Sequence, residues 1–202
     1  MTMTTPAATY QPTLADTLWP QQEGVRDVLR LVVLALAGTA LLVLSAKIKV
    51  PFWPVPMTMQ TFAVLVIGMA YGWRLGTATV ALYLIEGAVG LPVFTGTPER
   101  GIGVLYMVGP TGGFLIGFVA GAAISGWLAE QGWDRSIIRT LGAMLAGETV
   151  MFALGLGWLA HLFGVTKAIE FGLAPFVWAE IFKIALAAAV MPGAWWLLGR
   201  LR

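Results

Sequence analysis

The residues best suited to chemistry lie near the C-terminal end of the chain, in Gly172 to Pro192, which reads GLAPFVWAEIFKIALAAAVMP. Pro175 opens an apolar run, and within it stand Glu180 and Lys183, three residues apart. In a helix that spacing puts both side chains on one face. Lys183 precedes Arg200 by 17 residues, roughly 25 Å of helix against a hydrocarbon layer of roughly 30 Å, so the lysine falls just inside a bilayer. Charges at that depth are expensive and face a cavity or a partner. The chemistry such a pair offers is recognition of a small polar or anionic ligand. The same spacing also suits a pair that only neutralises itself, or a lysine snorkelling to the interface.

Three more charged residues belong at or beside membrane depth. Glu86 follows Arg74 by 12 residues, roughly 18 Å of helix, which is short of a crossing. Glu148 follows Arg139 by nine residues, roughly 14 Å, near mid-membrane. Arg100 lies in the loop TGTPERGIG, where a solvated pair with Glu99 is the plain alternative. For Glu148 the plain alternative is a packed or interhelically hydrogen-bonded carboxyl, and Glu86 suits either reading. Gln60 adds an amide at the head of an apolar run, and Phe52, Trp53, Tyr83, Phe94, Phe176 and Trp178 come from the same region of the chain's spans. This set suits a small, partly apolar ligand with a carboxylate and polar edges.

The elements that must hold these residues are membrane helices. Of 202 residues, 58% are apolar and 11% charged, and the mean hydropathy is +0.84. That is the composition of an all-α integral membrane protein in one bundle. Continuous apolar runs, without strand-like alternation, exclude a barrel. Spans are expected at about 29–46, 57–72, 75–90, 113–129, 138–163 and 175–198, six in all, forming a membrane domain over 25–202. Prolines at 51, 54 and 56 make the first connection a stiff extended loop, and Tyr71-Gly72-Trp73-Arg74 is a tight turn. Residues 1–24 read as a flexible tail without a secretory leader. With six spans, Arg26, Arg30, Arg74, Arg135, Arg139, Arg200 and Arg202 fall on one side, and Lys47, Lys49, Arg100 and Lys167 on the other. The excess favours both termini in the cytoplasm, at the cytoplasmic membrane.

Several function classes drop out. The absence of cysteine and the single histidine exclude disulfides, thiolate sites and histidine-rich metal centres. No basic stripe exists for nucleic acid; the scattered cations suit the headgroups of a lipid bilayer. GPTGG lacks the ending of a nucleotide-cradling loop, and no ATPase signature stands elsewhere in the sequence, so energy for pumping would come from a partner or an ion gradient. An intramembrane serine protease would need Ser125 and His161 together. Ser125 belongs to the cytoplasmic half of its span and His161 to the outer end of another, roughly 15 Å or more apart in depth. Gly113, Gly117, Gly121 and Ser125 form a small-residue stripe for close helix packing, and Ala35, Gly38 and Thr39 offer a second.

The segments VPFWPVPMTMQTFAVLVIG, ALYLIEGAVGLPVF, GPTGGFLIGF and GLAPFVWAEIFK, in that order, resemble the BioY family, from about Ala46 to Leu198. Members are the biotin-specific S components, or substrate-capture subunits, of energy-coupling factor transporters. The resemblance implies biotin as ligand, no cofactor, no enzymatic activity, and a transmembrane coupling protein and ATP-binding subunits as partners. Glu180 stands where the family usually has Asp, and Lys183 matches the family lysine. Gln60 and Tyr83 belong to motifs near the site, and Arg100 to the loop that caps it, while Glu86 replaces a residue that is more often uncharged. On this basis Lys183 and Arg100 are expected to meet the carboxylate. Glu180, Gln60 and Tyr83 are expected to orient the ureido ring, and aromatics including Trp53 and Phe94 to cover the rest. Ala35, Gly38 and Thr39 are expected to meet the coupling protein. A self-sufficient biotin permease, acting as a homo-oligomer, is the rival reading.

Overall fold

The structure is a computed structural model that describes residues 11–50 and 54–201. It contains five helices long and apolar enough to cross a membrane. In chain order the helices are α1 (Leu14–Leu18), α2 (Val25–Lys47), α3 (Gln60–Ala88), α4 (Val104–Met107), α5 (Gly112–Ala129), α6 (Ile137–Phe163), α7 (Val165–Ala168) and α8 (Val177–Leu201). A two-stranded antiparallel ribbon, β1 (Lys49–Val50) with β2 (Met57–Thr58), joins α2 to α3. Its register sets Lys49 opposite Thr58 and Val50 opposite Met57.

The longest helix is not straight. Gly72, inside α3, has φ 79° and ψ 171°, a region open essentially to glycine alone. The two halves of α3 fold back on each other at this residue. A Cβ on Gly76 would lie 2.9 Å from the Gly68 Cα, whereas eight residues of straight helix separate such atoms by about 12 Å. The turn is where Tyr71-Gly72-Trp73-Arg74 placed it.

Close packing follows the small residues. A Cβ on Gly117 of α5 would lie 2.9 Å from the Met151 Cα of α6, and one on Gly121 would lie 2.8 Å from the Met151 side chain. The two backbones therefore approach as only small residues permit. The outward faces stay apolar: Leu29, Val32, Leu36 and Leu44 on α2, and Trp178, Phe182 and Trp196 on α8, are exposed. Such a surface is stable in hydrocarbon and a liability in water.

Three expectations are corrected. Residues 11–19 of the supposed tail are built into the fold. Thr13 caps α1 by accepting from the Asp16 amide, and its own N–H meets the Asp16 carboxylate. Thr13, Leu14 and Ala15 are buried, and Gln11 N–H donates to the Glu130 carbonyl at 2.8 Å. The chain is not purely helical either, because the ribbon uses Met57–Thr58, which the sequence assigned to a span. Finally, Gly38 and Thr39 do not face outward. A Cβ on Gly38 would meet the Thr79 side chain of α3 at 2.5 Å, Thr39 is 4% exposed, and Ala35 is half-buried. This stripe packs α2 on α3 inside the chain, which leaves little of it for a partner.

The α1 end of the bundle gathers the Gly72 turn, the α5–α6 connection and the last turns of α8. The Trp73 amide donates to Glu130 at 3.1 Å, and Trp195 Nε1 donates to Asp134 Oδ2 at 2.6 Å. Burial pushes the Asp134 carboxyl above the usual carboxylate range. The opposite end carries the ribbon, the long α3–α4 connection and the ligand site.

Candidate ligand site

The start of α8 turns Glu180 and Lys183 inward, 6% and 9% exposed. Lys183 Nζ donates to Glu180 Oε1 at 2.7 Å and to Thr61 Oγ1 at 3.1 Å. The Thr61 hydroxyl in turn donates to Glu180 Oε2 at 2.8 Å. Each member therefore holds the other two, across 119 residues of sequence between Thr61 and Glu180. A buried ion pair is sustained only when its remaining hydrogen-bonding capacity is met, and Thr61 meets part of it. The sequence reading missed Thr61; its one signal was a hydroxyl residue directly after Gln60 at a helix head.

Gln60 occupies the first turn of α3. Its Nε2 donates to the Tyr83 hydroxyl at 2.8 Å, and its Oε1 accepts from Thr95 at 2.7 Å. The Tyr83 hydroxyl donates in turn to the Val93 carbonyl at 3.2 Å. The α3–α4 connection that brings Thr95 and Phe94 is itself anchored. Lys47 Nζ donates to the Pro92 and Phe94 carbonyls at 3.0 and 2.9 Å, and Lys49 Nζ to the Thr95 carbonyl at 2.9 Å. The lysines that weighed against the orientation by charge are thus structural ties at this end.

These elements enclose a cleft of about 500 Å³, counting its open mouth. Glu180, Lys183, Thr61 and Gln60 form its polar floor; Phe94, Tyr106, Phe114, Phe118, Phe152 and Phe176 supply aromatic walls. Val55 and Pro56 of the proline-rich segment and Thr111 of the turn before α5 lie at its edge. Phe94 stacks on Tyr106 at 4.9 Å and meets Tyr83 edge-on at 5.5 Å. Few polar groups converging in an apolar cavity is the general form of a small-molecule site.

The expected residues divide. Gln60, Phe94, Glu180 and Lys183 line the cleft. Tyr83 is fully buried behind the wall, with its hydroxyl spent on Gln60 and Val93, so it braces Gln60 and does not face a ligand. Arg100 is exposed and lines a neighbouring small cavity that shares Tyr106 and Thr111 with the main one. Its Nη1 donates to the Pro54 carbonyl at 2.8 Å, tying the α3–α4 connection to the proline-rich segment. Glu86 is half-buried on α3 and is not part of the cleft lining. Trp178 is exposed, and Phe52 and Trp53 lie outside the described residues. Ser125 is fully buried, its hydroxyl 3.3 Å from the Leu65 and Ala122 carbonyls. His161 sits beside the Trp158 ring near the end of α6. The two protease candidates are not brought together.

Comparison with known proteins identifies the family and the fold. A protein described as biotin transporter BioY from Thermotoga maritima is 40% identical over 153 residues, covering 75% of this chain and 88% of that protein. A probable biotin transporter BioY from Pyrococcus horikoshii is 36% identical, covering 75% and 87%. In fold, the chain matches the crystal structure of the S-component for biotin from an ECF-type ABC transporter. The TM-score is 0.69 at 21% identity, over 85% of this chain and 93% of that one. The named relatives are transporters, not enzymes. The family model described as the BioY family matches residues 13–200, and the chain belongs to that family.

Proposed function

We propose that this chain captures biotin at the outer face of the cytoplasmic membrane, as the substrate-binding S component of an ATP-driven energy-coupling factor transporter. The observation that carries the reading is the buried Thr61–Glu180–Lys183 triad on the floor of an aromatic cleft. Biotin offers a carboxylate, a neutral ureido ring and an apolar bicycle with an aliphatic arm. Lys183 supplies the charge-assisted donor for the carboxylate. Glu180, 2.7 Å from that ammonium, holds Lys183 in place; Gln60 accepts from and donates to the ureido group, and the aromatic walls cover the apolar remainder. Arg100, at the mouth, adds positive field and clamps the two segments that close over the ligand.

In this reading the fold-back at Gly72 makes α3 two crossings and the chain six, with both termini in the cytoplasm. The support is the arginine-rich α1 end, set against a cleft at the far end. The chain contributes no nucleotide site, so the coupling protein and ATP-binding subunits are supplied by partners. The test is binding of labelled biotin to the purified protein, followed by uptake into vesicles with and without the ATPase subunits. Binding with ATPase-dependent uptake supports the reading. Uptake by this chain alone would replace it with a self-sufficient permease, and a folded sample that binds no biotin would overturn it.

A further inference from the structure

The ligand site leaves one buried ionisable group unused. Glu148 of α6 is 7% exposed, and its Oε1 meets no partner among the described residues. It lines a side cleft between α6 and α8 together with Glu180, Thr149 and Phe152. Glu180 and Phe152 also line the main cleft. Glu180 is therefore a shared wall, with Lys183 and Thr61 bound to it and Glu148 beside it.

The charged groups acting on Glu148 are Glu180 and Lys183 of α8. Helix α5, packed along α6, carries no titratable residue. Helix α3 contributes the Thr61 hydroxyl to the network. Lys167 of α7 and Glu170 after it are exposed. Asp134 and Arg135 precede α6 by position, roughly 20 Å of helix from Glu148. Two carboxyls thus share one ammonium in a site of low dielectric. Two ionised carboxylates there carry one uncompensated negative charge, which is costly.

We propose that Glu148 and Glu180 together form a site for one monovalent cation, a proton or Na⁺, that is taken up when biotin binds. This rests on the biotin reading above. Lys183 holds Glu180 at 2.7 Å. A ligand carboxylate that shares the same ammonium draws compensation away from the two glutamates. A cation restores it: a proton as an O–H on Glu148 donating to Glu180, or Na⁺ between the two carboxylates in the side cleft. Linkage makes the effect reciprocal, so the cation tightens biotin and biotin tightens the cation.

The test uses the full chain in lipid nanodiscs. Biotin Kd is measured from about pH 6 to about pH 9, in sodium chloride and in choline chloride, for wild type and Glu148→Gln; one linked proton gives a Kd that rises by up to about tenfold per pH unit. Biotin's own carboxyl titrates below this range. A pH slope in both salts assigns a proton, and tightening on replacing choline by sodium at fixed pH assigns Na⁺. Either result, flattened in Glu148→Gln, supports the site. A wild-type Kd indifferent to both, or the same dependence in Glu148→Gln, overturns the cation site and leaves biotin capture standing. Infrared spectra of the ligand-free protein give a readout independent of biotin. A protonated-carboxyl band that grows as pH is lowered through the same range, or a sodium-induced carboxylate shift, that Glu148→Gln removes supports the site even if biotin fails to bind, whereas a band already complete at the highest pH leaves no proton to take up and overturns proton uptake. The absence of both in that case overturns it.

Discussion

The side-chain amide of Gln60 donates to the Tyr83 hydroxyl across 2.8 Å, although the two residues belong to opposite halves of one folded-back helix. The contact divides the labour of two residues that belong to the same motif set. Gln60 reaches the cleft and Tyr83 fixes the direction in which it reaches, because Tyr83 is itself held by the Val93 carbonyl. Tyr83→Phe removes one donor and one acceptor of a satisfied chain. The expected cost is about 1 kcal/mol of stability, with biotin affinity weakened by only a few fold. Gln60→Leu removes the polar group from the cleft, strands the Thr95 hydroxyl and leaves the Tyr83 hydroxyl only its bond to the Val93 carbonyl. The affinity loss should exceed that of Tyr83→Phe by on the order of tenfold. Equal losses in the two variants, measured by equilibrium binding, would mean that the hydroxyl meets the ligand directly.

Lys183 should matter twice, and the two roles separate. Lys183→Met leaves Glu180 buried with the Thr61 hydroxyl as donor and the Glu148 carboxyl beside it, a loss of about 3–5 kcal/mol when one partner of a buried pair is removed. It should also weaken biotin by on the order of a hundredfold, as expected for a desolvated charge pair with the ligand carboxylate. The double variant Glu180→Gln/Lys183→Met removes both charges and should recover much of the stability. It should not recover binding. If thermal stability and biotin affinity return together in the double variant, the lysine serves the fold and not the ligand.

Glu180 and Lys183 were legible in the sequence because helical spacing and membrane depth are both local quantities, readable from three residues and a distance to Arg200. Gln60 and Phe94 were legible through the motifs around them. Thr61 was not, because its role depends on α8 being packed opposite the head of α3, a relation between residues 119 apart. Tyr83 and Arg100 were expected to meet the ligand; Tyr83 packs behind the cleft wall and Arg100 lines the neighbouring cavity. Which side of a wall a side chain occupies is decided by packing, and periodicity does not report it. The small residues at Ala35, Gly38 and Thr39 failed in the same way: spacing identifies a face for close approach without saying which helix approaches. The fold-back at Gly72 was readable, because a glycine beside Arg74 interrupts the apolar pattern where the chain must turn.

Gly72 itself gives a sharp test of that turn. Its φ of 79° with ψ of 171° costs any other residue about 1–3 kcal/mol. A Cβ there would also run into the Glu130 side chain that accepts from Trp73. Gly72→Ala should lower the melting temperature of the detergent-solubilised protein by several degrees. The companion Gly157→Ala, where a Cβ meets open space in mid-helix, should be neutral or slightly stabilising through helix propensity. Similar melting temperatures for the two variants would show that the turn does not need its glycine.

The buried arginine of α2 explains why the segment before it is ordered. Arg30 is 2% exposed; its Nη2 meets Asp16 Oδ1 at 2.8 Å and its Nε donates to the Trp19 carbonyl at 2.6 Å. Removing residues 1–19 takes away these two partners, leaves Asp27 Oδ1 at 3.7 Å from Nη1, and uncovers the guanidinium. The expected result is a destabilisation of about 1–3 kcal/mol, from two lost charge-assisted hydrogen bonds and the uncovered apolar contacts of Leu14 and Ala15, with biotin affinity of the surviving folded fraction unchanged because the cleft lies at the other end. Arg30→Leu in the truncated chain should restore part of the loss, since it removes the charge that lost these two partners. A truncated protein as stable as the full chain would show that α1 is dispensable.

At the same end, Trp195 and Asp134 predict a dependence on pH whose sign can be worked out. Trp195 Nε1 donates to Asp134 Oδ2 at 2.6 Å, and Oδ1 has no partner among the described residues. Burial raises the Asp134 pKa, and the indole N–H works against that rise by favouring the ionised form. A carboxyl whose folded pKa is raised binds its proton more tightly in the folded state, so its contribution is most favourable at acid pH and declines as pH rises through the folded value. Trp195→Phe removes the donor that the carboxylate uses. The variant should therefore be less stable than wild type by about 1–3 kcal/mol where Asp134 is ionised, and the deficit should shrink as pH falls below the raised pKa. Asp134→Asn in the Trp195→Phe background should abolish the pH dependence of that deficit. Melting curves across the acid-to-neutral range measure both, and a deficit constant with pH would mean that the indole contributes packing alone.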